Sequence, residues 1–373
     1  MRKRDSLTAL LFLAPALVII GIFGIVPIFD SLFLSFFRWS LKPGAFLGLG
    51  NYEELFGSLE NLLLLVLLVV ALAGALAVTK PNRGPVVRGI AALLVALLVA
   101  ASFLVLGRVW KEGDSDMLRS LQITFWFAVG TVPPQLVFGL LLALALDSRF
   151  HGSKKLRVLF LIPYIVPVVA SAGVFDLLFS LRPESMANQF LHFWGLGPLQ
   201  WLREPSGVFH LLGLAGTGAG SSASWLGSWL EGPSLALVCI LVFNNWIFCG
   251  YYALIFSNGL AAIPREVYEA AKLDGAKQTT VLFRITLPLL SPSSYFLALL
   301  GVIGTFKAFT SVYILRDAAV GGATDPTSVY IFFTFFRQLR YGYAAALAIV
   351  LFLLVVAVTL LQRRSLEKRV FYG

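Results

Sequence analysis

Ile263-Pro-Arg-Glu-Val-Tyr-Glu-Ala-Ala-Lys-Leu-Asp-Gly-Ala-Lys-Gln-Thr-Thr-Val-Leu-Phe-Arg-Ile-Thr-Leu-Pro288 stands between two long apolar runs, Gly232–Pro264 and Ile285–Phe306. Its acids and bases mark a place where the chain leaves an apolar environment and then returns to it. The stretch reads as a short helix, a turn and a second helix. Pro264 suits a first helical position, and Glu266 and Glu269 in the early turns complement the helix dipole. Val267, Ala270, Ala271 and Asp274 recur at helical spacing as a narrow, mostly small face that can seat against a partner surface. Gly275 permits the positive-φ turn that other residues resist, and Pro288 marks the start of the next apolar run.

The rest of the chain is as apolar as those flanks. Of 373 residues, 58% are hydrophobic and 13% charged, with 32 Phe and 8 Trp; the mean hydropathy is +0.86. Soluble domains run near half apolar and a quarter charged, and one or two cores cannot hide this much apolar surface. Disorder is excluded by the same numbers, and a disulfide scaffold by the presence of only two cysteines. About 20 apolar residues make a membrane-crossing helix. Eight runs qualify or nearly do: Ser6–Phe29, Asn61–Thr79, Gly89–Gly107, Ser120–Leu146, Val158–Phe175, Gly232–Pro264, Ile285–Phe306 and Tyr341–Gln362. None shows the alternation of an outer-membrane strand. The expected fold is all-α and polytopic, with eight transmembrane helices. Ser206–Leu230 also lacks charge, but 11 of its 25 residues are Gly or Ser. Pro326–Phe336 is too short to cross, and both stretches read as structured loops or interfacial helices.

Basic residues set the orientation. With the N-terminus inside, the inner segments hold Arg2, Lys3, Arg4, Lys80, Arg83, Arg88, Arg149, Lys154, Lys155, Arg157, Arg265, Lys272, Lys277, Arg284, Arg363, Arg364, Lys368 and Arg369. These are 18 of the 29 basic residues, against 6 of the 19 acids, so the inner side is strongly positive and the outer side slightly negative. The asymmetry favours N-in/C-in. It also accounts for the net charge of +10 without a nucleic-acid partner. The first apolar run, followed to Phe29, is too long for a signal-peptide h-region and has no small-residue cleavage site, so it reads as an uncleaved helix.

The common site chemistries are absent. No G-x-x-x-x-G-K-[ST] phosphate loop occurs; Gly275-Ala-Lys-Gln-Thr is the nearest approach. His151, His192 and His210 are scattered, which makes a zinc site improbable. Cys239 and Cys249 lie ten residues apart on one expected helix, about 15 Å at the helical rise, which is too far for a disulfide. Asp30, Asp176 and Lys307 are expected at span ends, and no ionisable residue sits mid-span as a proton relay requires.

Glu269-Ala270-Ala271, then Gly275 after three residues, then Ile285-x-Leu287-Pro288 after nine resembles the EAA loop of the permease subunits of bacterial ATP-binding-cassette importers. Leu273-Asp274-Gly275-Ala276 and Leu287-Pro288-Leu289-Leu290 resemble its carbohydrate, maltose-type branch. Phe12-Leu-Ala-Pro-Ala, Gly50-Asn51-Tyr52-Glu53, Gly139–Leu146 and Phe160–Pro167 extend the likeness over most of the chain. It implies a six-helix type I importer core with an extra two-helix hairpin. The parts would be a first helix and outer loop (1–56), the hairpin (57–117), the permease core (118–362) and a cytoplasmic tail (363–373).

The same resemblance implies a machine of two permeases and two ATPase subunits, fed by an extracytoplasmic solute-binding protein in the bacterial inner membrane. ATP and Mg would sit on the ATPase partners, and this chain would bind no cofactor and catalyse nothing itself. Glu266, Glu269, Ala270, Ala271, Asp274, Gly275, Ile285, Leu287 and Pro288 would form the loop that couples ATPase closure to the spans, with Glu269 and Asp274 pairing with ATPase arginines. In the maltose-type permease, an Asn-x-Trp and a Tyr five residues beyond the Trp lie on the sixth span. By that likeness Asn244, Asn245, Trp246 and Tyr251 would meet a sugar, joined by Gly301, Thr305, Phe306 and Lys307 from the seventh. Helix–helix contact is an equally good reading of each, since small and amide side chains hold membrane helices together. An Asn, Trp and Tyr lining suits a neutral polyol, most simply a di- or oligosaccharide. Glycerol phosphate or polyamine on the same machinery, and a secondary carrier independent of ATP, are the competing readings. The second permease is expected to be a different, homologous chain.

Overall fold

The computed structural model describes residues 2–78, 84–147, 153–195, 197–214 and 225–366. Lys80, Arg83, Arg149, His151, Lys368 and Arg369, and the tail beyond 366, lie outside them. The fold is all-helical, at 79% helix. Among the described residues no strand forms, only isolated bridges between Phe37 and Phe46 and between Gly207 and Ser234.

Five helices among the described residues are long and apolar enough to cross a membrane: Leu11–Leu34, Gly89–Glu112, Ser115–Leu146, Leu235–Ala261 and Tyr341–Arg364. Three further candidates are bent pairs. Gly50–Phe56 meets Leu59–Leu72 at 75°, Lys155–Ile165 meets Val168–Leu178 at 91°, and Gln278–Leu289 meets Ser291–Phe306 at 61°. Counting each pair once gives up to eight.

The breaks have local causes. Proline kinks were expected at Pro163 and Pro167, but Pro163 lies inside the helix Ser153–Ile165. The turn falls at Val166–Pro167, where Pro167 takes extended ψ (126°) and starts Val168–Leu178; a residue before proline resists the helical region, so the helix ends there. The first helix runs past Phe29 to Leu34, through a π turn at Gly21–Ile25. Pro27, without an N–H, follows that turn, and a π turn is how a helix absorbs such a gap. Asp30 therefore lies within a helix and not at its end. The seventh run begins at Gln278 instead of Ile285, contains a π turn at Leu282–Thr286, and bends at Leu290 just before Pro292.

Residues 1–118 and 330–352 form one compact unit, and residues 119–329 and 353–373 form another. In the first, the Asn51 amide donates to the carbonyls of Ser35 (2.8 Å) and Phe37 (3.0 Å), while the hydroxyls of Ser35 and Tyr52 meet at 2.8 Å. Gly50-Asn51-Tyr52 thereby ties a short helix, Gly50–Phe56, to the end of the first long one. Leu59–Val78 packs along Pro85–Glu112. The Asn61 amide spans that hairpin at its base, reaching the Phe56 carbonyl and the Glu112 carboxylate, each at 3.0 Å. Asp114 caps the helix that follows through the amides of Asp116 and Met117, and its other oxygen accepts from Tyr330 (2.7 Å) and from Tyr343.

In the second unit, Leu235–Ala261 is the axis. Fifteen of its residues are buried, among Ser153–Ile165, Ser291–Phe306 and Thr310–Leu315. Close approach rests on glycine, as is usual between membrane helices. A Cβ on Gly250 would run into the Phe160 carbonyl, and one on Gly139 into Tyr252. A core of Ala143, Tyr252, Phe256, Leu260, Ile263, Leu290 and Leu297 closes the end of the axis next to residues 263–288.

Overpacking of a core typically costs about 1–3 kcal/mol, and at Gly250 the obstacle is a backbone carbonyl that cannot rotate away. Gly250→Ala should therefore lower the melting temperature of the detergent-purified chain by several degrees. Cys249→Ala, one residue away and half-buried, should stay within about a degree.

Candidate functional site

Two features of the second unit hold the residues singled out by sequence: the polar segment after the axis, and a cavity beside the axis.

The polar segment is a helix over Arg265–Leu273, a tight turn and a return helix from Gln278. Pro264, expected as the first helical residue, stands one place earlier as the N-cap with ψ 139°. The turn is a Schellman closure. The Gly275 amide donates to the Lys272 carbonyl (3.1 Å) and the Ala276 amide to the Ala271 carbonyl (3.0 Å), with Gly275 at φ +70°. This geometry explains the Ala-Ala-x-x-x-Gly spacing. Gly275 takes the left-handed position, and Ala271 and Ala276 are the small apolar pair that such a turn brings together.

The helix is fixed by one face. Ile263 and Ala271 are buried, Val267 and Tyr268 are half-buried, and the Tyr268 hydroxyl reaches that of Thr286 at 3.4 Å. Glu266, Glu269, Ala270, Asp274 and Gly275 are exposed. The small face expected to point at a partner is therefore divided, because Ala271 turns inward and Ala270 outward. Ile285 and Leu287 are half-buried and Pro288 is exposed. Leu273, unmarked by the sequence reading, is 90% exposed at the helix tip, and Phe283 is 66% exposed on the return helix. Large apolar side chains so fully presented mark a contact surface.

The cavity has a volume of about 360 Å³, and its polar lining includes Thr131, Gln135, Asn244, Tyr251, Tyr252, Thr305, Lys307 and Ser311, with Gly301 on one wall. That is near the lower end of ligand pockets, roughly 300–1,000 Å³. Asn244, Tyr251, Gly301, Thr305 and Lys307 thus come together. Asn245, Trp246 and Phe306 do not. The Asn245 amide donates to the Gly130 carbonyl at 2.9 Å, Trp246 stacks on Phe243 and lies against Phe175, and Phe306 is buried away from the cavity. Three consecutive residues of a helix point some 100° apart, whereas Asn244, Phe248 and Tyr251 at i, i+4 and i+7 share a face. Gln135, Phe248 and Ser311 escaped the sequence reading. Gln135 had a signal, an amide just after Pro133-Pro134 in an apolar helix.

Several lining groups are already committed. The Asn244 amide donates to the Ile240 carbonyl (3.1 Å) and exchanges hydrogen bonds with the Ser311 hydroxyl (3.1–3.3 Å). Thr131, Thr305 and Tyr252 donate to the carbonyls of Phe127, Val302 and Leu297. The Tyr251 ring stacks on Tyr164 at 4.8 Å. No three His, Cys, Asp or Glu side chains gather as a metal site among the described residues.

Beside the cavity, Asp325 takes a bidentate pair from Arg316 (2.7–2.8 Å). Asp317 accepts from Arg203 at 2.5 Å. Its carboxyl is held below the usual carboxylate range by the Ala319 amide first and Arg203 second. The stability it lends is therefore present at neutral pH and fades as acid protonates it.

The sequence pattern for the inner membrane component of binding-protein-dependent transport systems matches residues 135–372. The chain belongs to that family. Among its relatives, the trehalose/maltose transport system permease protein MalF of Thermococcus litoralis is 30% identical, over 64% of this chain and 70% of that one. The sn-glycerol-3-phosphate transport system permease protein UgpA of Agrobacterium fabrum is also 30% identical, over 70% and 79%. A bacterial ABC transporter involved in the import of the acidic polysaccharide alginate shares the fold at a TM-score of 0.63 and 16% identity, over 98% of this chain and 96% of that one.

Because Asn244 and Ser311 serve each other, Asn244→Ala and Ser311→Ala should each destabilise the chain, and the double variant should melt little below the worse single one. A coupling of about 1 kcal/mol is expected for one buried pair. Strictly additive shifts would remove the pairing from the cavity wall.

Proposed function

We propose that this chain forms half of the translocation path of an ATP-driven importer of saccharides, and that residues 263–288 transmit the motion of the ATPase. The observation that carries this is the rigid, exposed helix Arg265–Leu273, closed by the Gly275 turn and presenting Glu266, Glu269 and Leu273 to whatever docks there. A helix anchored by Ile263, Tyr268 and Ala271 to the core at the end of the axis moves with that axis; a flexible tether would dissipate the push. Glu269 and Asp274 offer carboxylates to arginines of the motor, and Leu273 offers an apolar knob.

In this reading the three bent pairs are spans, which makes eight with both termini inside, in the bacterial inner membrane. The core occupies 118–362, and the helices of 57–117 form an added hairpin. ATP and Mg belong to two ATPase subunits, and an extracytoplasmic binding protein delivers the solute. Leu11–Leu34 is apolar throughout and buries none of its own window, which supports a second, homologous permease as its neighbour, most simply a different chain. Saccharide cargo is supported by the cavity, where Tyr251 and Phe248 offer ring faces and Gln135 an amide. It is also supported by the 30% identity to a trehalose/maltose permease protein.

Glu269→Lys and Gly275→Asp separate this function from folding. Both positions are exposed, and no neighbour crowds a Cβ on Gly275. Each variant should insert normally, lose the ATPase on co-purification and abolish uptake. Wild-type uptake in both, or uptake that survives ATP depletion, would remove the coupling role.

A further inference from the structure

We infer that the saccharide seated in this cavity carries an anionic group, a carboxylate, sulfate or phosphate, and that Lys307 reads it. The inference rests on the importer reading above and makes the cargo class narrower.

Lys307 is the only charged group among the described residues of the cavity wall, and no carboxylate faces it there. It is exposed, and its ammonium has no ion-pair or hydrogen-bond partner among the described residues. Two ordinary reasons for a lysine at this place are already met by other groups. The first is closure of a helix end, since Lys307 follows the last residue of Ser291–Phe306. The terminal carbonyls are satisfied without it: Gly304 accepts from the Lys307 amide, Thr305 from the Ala308 amide, and Val302 from the Thr305 hydroxyl. The second is pairing with a neighbouring acid. Asp317 and Asp325, on the loop just beyond, are held by Arg203 and Arg316.

The wall is therefore a mostly apolar pocket with one unneutralised positive end. The Tyr251 hydroxyl is also uncommitted, and a hydroxyl and an ammonium are both donors. Donors without a competing carboxylate select an oxyanion over a neutral hydroxyl, because a charge-assisted hydrogen bond is about twice as strong as a neutral one. One lysine balances one negative charge. The cavity volume suits one or two sugar rings, whose faces can lie against Tyr251 and Phe248. Several charges crowded into this volume would exceed what Lys307 can offset.

The complete transporter, with its partner permease, ATPases and binding protein, is reconstituted in vesicles. It is offered an equimolar mixture of neutral mono- and disaccharides and their uronate, 6-sulfate and 6-phosphate counterparts, and the luminal sugars are identified by mass. Acidic sugars should accumulate, Lys307→Gln should lower their accumulation tenfold or more, and Lys307→Arg should restore most of it. Recovery of the intact complex, measured for each variant, separates transport loss from misassembly. Accumulation of neutral sugars alone, or acidic sugars passing equally well through Lys307→Gln, overturns the inference and leaves the importer standing. ATP-dependent uptake of no sugar at all overturns both.

Discussion

The second unit depends on backbone-to-backbone contact between Leu235–Ala261 and its neighbours. Inside a bilayer no hydrophobic force pulls helices together, so their association comes from close packing and from hydrogen bonds that need short distances. Gly250 against the Phe160 carbonyl and Gly139 against Tyr252 set those distances. Once they are set, the Asn245 amide can reach the Gly130 carbonyl and the Tyr252 hydroxyl the Leu297 carbonyl. The cavity is the space left where the contacts stop. Its walls are rigid because they belong to helices locked elsewhere by glycine.

The same economy governs the polar segment. Its exposed helix has only nine residues, too few to persist alone in water. It persists because Ile263 and Ala271 are sunk in the core below it and because Gly275 closes its last turn. Anchorage and presentation are divided between opposite faces of one short helix, so anything pressing on Glu269 or Leu273 presses directly on the Leu260, Leu290 and Leu297 cluster.

Much of this was legible in the sequence. Long uncharged runs declared the helices, and the Ala-Ala-x-x-x-Gly spacing declared a helix that stops in a left-handed turn. Each is a local rule that neighbours do not override. The cavity was legible in part. Asn244, Tyr251, Gly301, Thr305 and Lys307 were found by type and place, but Asn245, Trp246 and Phe306 came with them, since adjacency in sequence says nothing about which way a helix faces. The breaks were least legible. Pro163 and Pro167 look alike on paper, yet only the second coincides with a turn, because the surrounding helices decide where a missing N–H is tolerated. The three bent pairs likewise depend on packing that no single run of residues states.

The π turn at Leu282–Thr286 has a consequence for everything beyond it. Such a turn holds one residue more than an α-helical turn, so the helix after it is wound about 100° further than an unbroken helix of the same length would be. Gly301 and Thr305 owe their azimuth on the cavity wall to that single surplus residue, some fifteen or more positions upstream. A one-residue deletion in Leu282–Thr286 would leave every side chain present and every span long enough, yet would present lipid-facing residues to the solute.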